Sequence, residues 1–509
     1  MRKINYIITG LVSLFFTACD LTTIPTTSVD AASVFNTTVD AEKVINGSWR
    51  YLIETFNTYA NPGYGAFLRA GDAMGSDVVL NDKYGFNTHN QFTAIFGKGG
   101  TNTLSWTLSY TTINSMNGII KYVDGATGTQ EDKDRIKGQA YALRGFIYLH
   151  LASNYSFAID KDPDAVCAPI YTEPSDASTQ GQSAASVSEV FAQAIKDLEE
   201  ALKLIPENYA RPSKHKIDNQ VVLGLLSRAT LYARDWQKAK NYSDQLLAKN
   251  NYLMSESEYK SGFNSVDNRE WIWGHPQPAD QSSASYQFHY LDVTSTTSYY
   301  FSFNADPYFR DLFNDGDYRK ELIYWASDPG LNPANAPYLW MRYAKFKFKS
   351  DLTADIVLLR TSEIYLINAE AKAHLNDPDA INKLNELKSA RKAQTVSGLS
   401  GQDLIEAIWL ERRKELFGEG FSLVDIIRNQ RSVVRRDYPQ TPKIDYPYKD
   451  ANGVEKTVAI TPQGHRYLTF PDKSNFTANS KYYLFRIPDS EELANENLYA
   501  KHPKLGIYD

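Results

Sequence analysis

The chain has 509 residues, 42% of them hydrophobic and 13% aromatic, with a net charge of −6 at neutral pH. That length buries a large core and is compatible with two or three structural units. The mildly acidic balance excludes a basic nucleic-acid footprint, and an inventory of two cysteines, Cys19 and Cys167, excludes a Cys/His metal cluster.

The N-terminus carries an address. Arg2 and Lys3 precede the apolar run Ile4 to Phe16, and small Thr17 and Ala18 lead into Cys19. Residues 1–18 have the layout of a secretory signal, too short for a comfortable membrane span. A cysteine at the cleavage point reads as a bacterial lipoprotein site, with the Cys19 thiol acylated by palmitate-type chains as residue one of the mature protein. An ordinary cleaved signal with an incidental cysteine is the alternative. A lipidated Cys19 leaves Cys167 without a partner, so the exported protein relies on its core rather than on disulfides. No later apolar run is long enough to cross a bilayer, which makes the lipid the expected anchor. Residues 19–39 read as lipidated N-terminus and flexible Thr/Pro/Ser-rich tether, and 40–509 as a single unit.

Along that unit, Asp40 to Thr55 has helical spacing, with Val44, Ile45, Trp49 and Leu52 on one face. Residues 57–103 are rich in Gly and Asn and read as loop with irregular turns. Helix is predicted again over 104–123 and 132–155, the latter with Ile136, Ala140, Leu143, Ile147 and Leu151 in register. Residues 160–186 read as linker. Ser186 or Ser188 then caps a helix that aligns Phe191, Ile195, Leu198 and Leu202 and ends before Pro206. Residues 219–233 and 236–248 read as an αα-hairpin, loosely tetratricopeptide-like without a strict 34-residue period. Glu270 to Gly274 alternates as a short strand. Residues 276–343 are irregular and aromatic; such a long stretch is functional or disordered, and its ring density argues against disorder. Helices are predicted over 361–375, 379–392 and 401–417, the last ended by Gly418 and Gly420. The segment 433–509 reads as loop and short strand. The fold class is therefore mainly α, with the helical scaffold in 104–255 and 356–430 and a large loop-rich aromatic insertion.

Tyrosine leads the aromatics, 34 Tyr against 24 Phe and 8 Trp. Its flat apolar face and polar tip suit half-wet surfaces, and the C–H face of a sugar ring stacks on such a plane. Packing inside the core is the competing use of any single ring. Two loop stretches combine rings with planar hydrogen-bonding groups. The first, 81–92, offers Tyr84, Phe86, Asn87, His89 and Asn90. The second, 286–340, offers Tyr290, Tyr299, Tyr300, Trp325 and Trp340. Trp49, Trp106, Trp236 and Trp409 sit on helical faces and are expected in the core; Trp271 and Trp273 fit either role.

Catalytic patterns are absent: the sequence has no GxSxG, HExxH, P-loop or CxxC. Glu363 and Glu370 share a helix face, as do Glu411 and Glu415, and a carboxylate pair is what a glycosidase needs. Arginines crowd both pairs, which favours structural ion pairing. No metal site or cofactor is expected, although calcium held by loop oxygens stays open.

Several segments together resemble the SusD/RagB family of outer-membrane glycan-binding lipoproteins. QAYALRGFIYL at 139–149 is similar to that family's RALRAFYYF helix, and LLRTSEIYLINAEA at 358–371 to LRLAEVYLMYAEA. ERRKELFGEG at 411–420 resembles ERRRELAFEG, VDIIR at 424–428 stands where the family has DLRRW, and LFRIPDSEE at 484–492 resembles LFPIPQSEI. The resemblance implies a tetratricopeptide-like αα-superhelix of four degenerate pairs, with loops on one side presenting the ligand. It implies a non-enzymatic surface lipoprotein that captures oligosaccharide and acts as lid on a SusC-like TonB-dependent transporter in the outer membrane. A lid with peptide cargo and a lipid-anchored glycoside hydrolase are the alternatives. Family members often carry an acidic cluster after the lipidated cysteine; here only Asp20 precedes Leu21. The family's loops do not align by motif, so no ligand residue carries over.

Overall fold

The computed structural model describes residues 33–54, 62–81, 83 and 85–505. Cys19, with the signal and tether assigned around it, and Tyr84 lie outside the described residues.

The fold is mainly helical. The amphipathic pattern at the start becomes the helix Thr38–Glu54, which buries Ala41, Ile45, Trp49 and Leu52. Then come Gly100–Tyr122, Gln130–Asn154, Val187–Leu204, Asn219–Tyr232 and Trp236–Lys249, each packed on the next. Thr361–His374 continues the stack against Trp236–Lys249 and is itself covered by Ala380–Ala390 and Gly401–Glu415. Close approach is possible where side chains are small. A Cβ on Gly145 would lie 2.9 Å from the Ala194 carbonyl oxygen and from Leu198 Cγ. Beside it Arg144 reaches across to Asp197 at 2.7 and 2.8 Å, with both side chains buried.

Ser186, rather than Ser188, caps Val187–Leu204. Its hydroxyl accepts from the Glu189 amide, and Glu189 accepts from the Ser186 amide in return. This reciprocal box satisfies two otherwise orphaned donors. Ser186→Ala is expected to cost about 1 kcal/mol of stability, seen as a lower urea midpoint with an unchanged slope.

Several expectations need correction. Residues 57–103 are not loop throughout. They contain the buried helix Gly63–Met74, the strand Val78–Leu80 and the one-turn helices Asn87–Asn90 and Thr93–Phe96. Glycines weaken the local helical signal, but they are there for contact: a Cβ on Gly65 would sit 1.8 Å from Gln287 Nε2. Second, 276–343 and the C-terminal segment share a sheet. Its strands run Ile323–Ala326, Tyr338–Tyr343, Glu455–Pro462, Ile444–Lys449, with a parallel join of Tyr338 to Thr461. Even the 160–186 linker folds, its ends pairing as Val166–Pro169 and Ala184–Ser186 around buried Cys167. Third, Trp236 and Trp409 are half-buried rather than core. Trp236 stacks on His374 at 3.8 Å, and Trp409 lies under the Arg431 guanidinium at 4.6 Å.

Trp49 and Trp106 are buried as expected, and Trp271 and Trp273 join them. Their strand, Trp271–His275, pairs with Ile356–Arg360 and is covered on both faces, so Ile272 is buried as well.

Candidate functional site

The strand Val78–Leu80 pairs antiparallel with Phe303–Ala305, Leu80 opposite Phe303. This pairing brings the 81–92 and 286–340 stretches together. At its end the Asn81 side-chain amide donates to the carbonyls of Tyr300 and Phe301, at 3.0 and 3.4 Å. The amides of Tyr300 and Phe301 donate to the His289 carbonyl at 3.1 and 2.8 Å. Phe301 is held at a positive φ of 32°, a backbone conformation unfavourable for a side chain with a Cβ. Arg342 fixes it from below, donating to the Phe301 carbonyl at 2.9 Å and to Asn304 Oδ1 at 2.6 Å.

This bracing presents rings. Tyr299 stacks on His289 with centroids 4.0 Å apart, and Tyr300 on Tyr290 at 4.8 Å. The hydroxyls of Tyr286 and Tyr300 lie 3.0 Å apart. The Tyr299 amide points at His289 Nδ1, 3.3 Å away, which assigns the imidazole proton to Nε2. Burial lowers the His289 pKa to about 4, so the ring beneath Tyr299 is neutral at physiological pH.

The neighbouring sheet continues the surface. Opposed residues of an antiparallel pair share a face. Tyr324 opposes Arg342, and Ala326 opposes Trp340. Tyr338, two residues from Trp340, lies on the same face, its ring 6.3 Å from the indole. Arg342 also reaches Asp328 at 2.7 Å, and Asp328 meets Lys83 at 3.5 Å. The Lys83 ammonium lies 3.6 Å from the Phe301 ring. A charged strip of Lys83, Asp328 and Arg342 thus joins the tyrosine cluster to the sheet. Among the described residues, only three aromatic side chains are more than about a third exposed: Tyr299 at 63%, Tyr324 at 42% and Tyr338 at 41%. All three lie on this segment.

The expected site residues divide accordingly. Tyr299 is open, while Tyr300, Trp325 and Asn87 are half-buried. Phe86, His89, Asn90, Tyr290 and Trp340 are buried, contrary to the expectation of exposed loop side chains. Phe86 meets Tyr290 and Phe303 edge-on at 5.2 and 5.5 Å. His89 Nε2 bonds Thr101 Oγ1 at 3.0 Å, and the Asn90 amide donates to the Ala73 carbonyl at 2.7 Å. Burying these rings is worth about 1.5–3 kcal/mol each, and the one-turn helix Asn87–Asn90 folds inward to do it. Trp325 points to the opposite face of its strand from Tyr324 and packs on Tyr438 at 5.4 Å. The sequence reading missed Tyr324, Tyr338, Lys83, Asp328 and Arg342. Alternation within 323–326 and 338–343 is the signal that finds Tyr324, Tyr338 and Arg342, once both are read as strands; no local pattern marks Lys83 or Asp328.

The carboxylate pairs are structural. Glu363 takes a bidentate contact from Arg228 at 2.7 and 2.8 Å, and Glu370 one from Arg428. Glu415 accepts from Arg319, Arg360 and Arg391 at 2.6 to 2.8 Å. Glu411 accepts from Arg319 and Lys414, and Glu419 from Arg360 and Lys345. Glu270 bridges Arg360 and Arg391. Burial raises the pKa of the Glu415 carboxyl, but Arg391, Arg360 and Arg319 overcome that and hold it well below the usual range. Burial opposes ionisation of Glu411 too, and Arg319, Lys414 and Lys388 bring its pKa to about 2. Both glutamates are at most 1% exposed, and no substrate reaches them.

A SusD-like family model described as starch-binding, associating with outer membrane, matches residues 28–231, and the SusD family model matches 320–503. Comparison with curated proteins gives no match. A solved SusD-like carbohydrate binding protein from Bacteroides vulgatus is 69% identical, with a TM-score of 0.91, covering 93% of this chain and 100% of its own. A putative sugar binding protein from the same organism is 23% identical with a TM-score of 0.72, covering 91% and 98%. A SusD superfamily protein from Bacteroides thetaiotaomicron is 21% identical with a TM-score of 0.72, covering 91% and 99%. The latter two share the fold. Identity and coverage together place the chain in the SusD/RagB family of non-catalytic, outer-membrane-associated binding proteins.

Proposed function

We propose that the protein captures an oligosaccharide on the tyrosine face and delivers it to a SusC-like TonB-dependent transporter. In this reading it is tethered through lipid on Cys19 and faces the cell exterior. The carrying observation is that the three open aromatic rings among the described residues, Tyr299, Tyr324 and Tyr338, lie on one segment. An exposed tyrosine face is costly to leave wet and serves a ring-shaped, half-apolar ligand. Tyr299 supplies a stacking plane held flat by neutral His289. Lys83 and Asp328, the latter held by buried Arg342, supply hydrogen bonds to sugar hydroxyls along the strip between the rings. The 69%-identical protein is itself described as carbohydrate binding. The sequence motifs of the family support the transporter partner.

Migration of the protein through native gels cast with different polysaccharides tests the reading. Retardation by at least one glycan, with no sugar released over days, is the expected result. Release of soluble oligosaccharides makes the protein a hydrolase. Retention of peptides with no retardation by any glycan assigns the same face to peptide cargo. Co-purification from outer membranes with a TonB-dependent receptor tests delivery, and its loss in Cys19→Ala tests the tether.

A further inference from the structure

The strand pair that assembles the tyrosine face carries two facing carboxylates. Val78 opposes Ala305, and the ladder runs one step further, where the Asp306 amide donates to the Asp77 carbonyl at 2.9 Å. Asp77 and Asp306 are therefore directly opposed. Opposed side chains of an antiparallel pair share a face with Cβ atoms about 5 Å apart, and like charges placed there repel. Both residues are buried, at 7% exposure each.

Their surroundings are unequal. Arg413, from the helix Gly401–Glu415, donates to both oxygens of Asp77 at 2.6 and 3.1 Å, and that fork keeps Asp77 ionised. Asp306 has no such fork. Its Oδ1 is sealed from solvent and has no hydrogen-bond partner among the described residues, and its side chain does not cap the one-turn helix Pro307–Arg310 that follows. The nearby cations are committed elsewhere. Buried Arg435 spends its donors on the carbonyls of Ala73, Gly75, Asn90 and Tyr467. Exposed Arg436 lies over the Tyr308 ring at 5.0 Å. Tyr438 completes the surroundings; burial, then Tyr308, Asp311 and Asp306 raise its hydroxyl pKa, so it carries no charge. An ionised carboxylate at Asp306 is costly there, and an oxygen so sealed admits nothing larger than a proton.

We propose that Asp306 is a proton-operated latch on this ladder. With its proton, the strands Val78–Leu80 and Phe303–Ala305 close; without it, two carboxylates face each other and the pairing loosens. The register of those strands is only three residue pairs long. Asn81 at its end holds the Tyr300 and Phe301 carbonyls, so loosening the ladder releases the Tyr299 platform. That consequence for glycan capture rests on the tyrosine face being the binding site; the latch itself does not. Burial first and Asp77 second raise the Asp306 pKa from 3.8 to about 7, against the opposing pull of the Tyr308 amide, Arg436 and Arg413. A raised carboxyl pKa contributes stability that is complete below the unfolded value and is lost as pH rises through the folded one.

Hydrogen exchange of the full chain, read in peptides covering the two strands and corrected for the intrinsic pH dependence of exchange, tests the latch. Protection there is expected to fall about tenfold between about pH 6 and about pH 8.5, and to stay level in Asp306→Asn. Asp72, whose pKa burial raises to about 6, titrates alike in parent and variant and cancels from the comparison. Asp77→Asn is the second variant. It removes the facing charge and leaves Arg413, a partly exposed side chain, to solvent; the fall in protection is expected to shrink. Equal protection at the two pH values in the parent, an equal fall in Asp306→Asn, or an undiminished fall in Asp77→Asn overturns the proposal. No glycan enters the measurement, so failure of the latch and failure of the tyrosine face as a glycan site are told apart.

Discussion

Glu415→Gln is expected to destabilise the fold by about 3–5 kcal/mol, the scale for removing one partner from a buried ion pair. The Glu415 carboxylate is the shared acceptor of Arg319, Arg360 and Arg391, all fully buried. Those three side chains come from three separate parts of the chain. Arg319 belongs to the insertion, Arg360 ends the strand paired with Trp271–His275, and Arg391 follows the helix Ala380–Ala390. Glu415 thus ties the insertion to the helical stack, and its loss leaves guanidinium charge uncompensated in a dry interior. Asp40→Asn, which breaks the exposed pair with Lys43, is expected to change stability by less than about 1 kcal/mol. Urea midpoints of the two variants make the comparison, and equal midpoints refute it.

Buried carboxylates paired with arginine set the acid limit. Glu411 and Glu370 have folded-state pKa values lowered to about 2 from an ordinary value of 4.5, and Glu415 is lowered as well. A depressed carboxylate pKa contributes stability that is complete above the unfolded value and is lost as pH falls through the folded one. Stability is therefore expected to hold down to pH 4.5 and to fall steeply from there toward 2. A thermal midpoint that stays flat down to pH 3 contradicts the assignment.

Tyr299→Ala is expected to weaken glycan binding about tenfold while moving stability by less than about 0.5 kcal/mol. Tyr299 is 63% exposed, so its ring is available to a ligand and adds little to the core. Tyr290→Ala gives the opposite pattern. That ring is fully buried between Tyr300 and Phe86, and its removal is expected to cost about 3–5 kcal/mol. Gel retardation alongside urea unfolding separates the two effects. Binding by Tyr299→Ala equal to that of the parent protein removes the tyrosine face as the glycan site.

Much of the fold was legible from local pattern. Helices over 130–154 and 187–204 follow from apolar residues at helical spacing and, for the second, from the Ser186 and Glu189 cap, all set within a few residues of chain. The arginine-rich setting of Glu411 and Glu415 likewise announced an ion-pair role. The candidate site was legible only as two stretches of chain. Phe86 and Tyr290 looked like loop rings because nothing local records that they face each other from positions about 200 residues apart.

The sequence by itself determined the helical stack, the family motifs and the segment that carries the rings, because periodicity, capping and composition are local properties. Tertiary structure alone decided which rings are open. Pairing of Val78–Leu80 with Phe303–Ala305 buries Phe86 and Tyr290 and leaves Tyr299 outside. The sheet formed with the C-terminal segment turns Tyr324 and Tyr338 to one face and Trp325 to the other. A ring's exposure depends on what packs against it, and long-range pairing sets that.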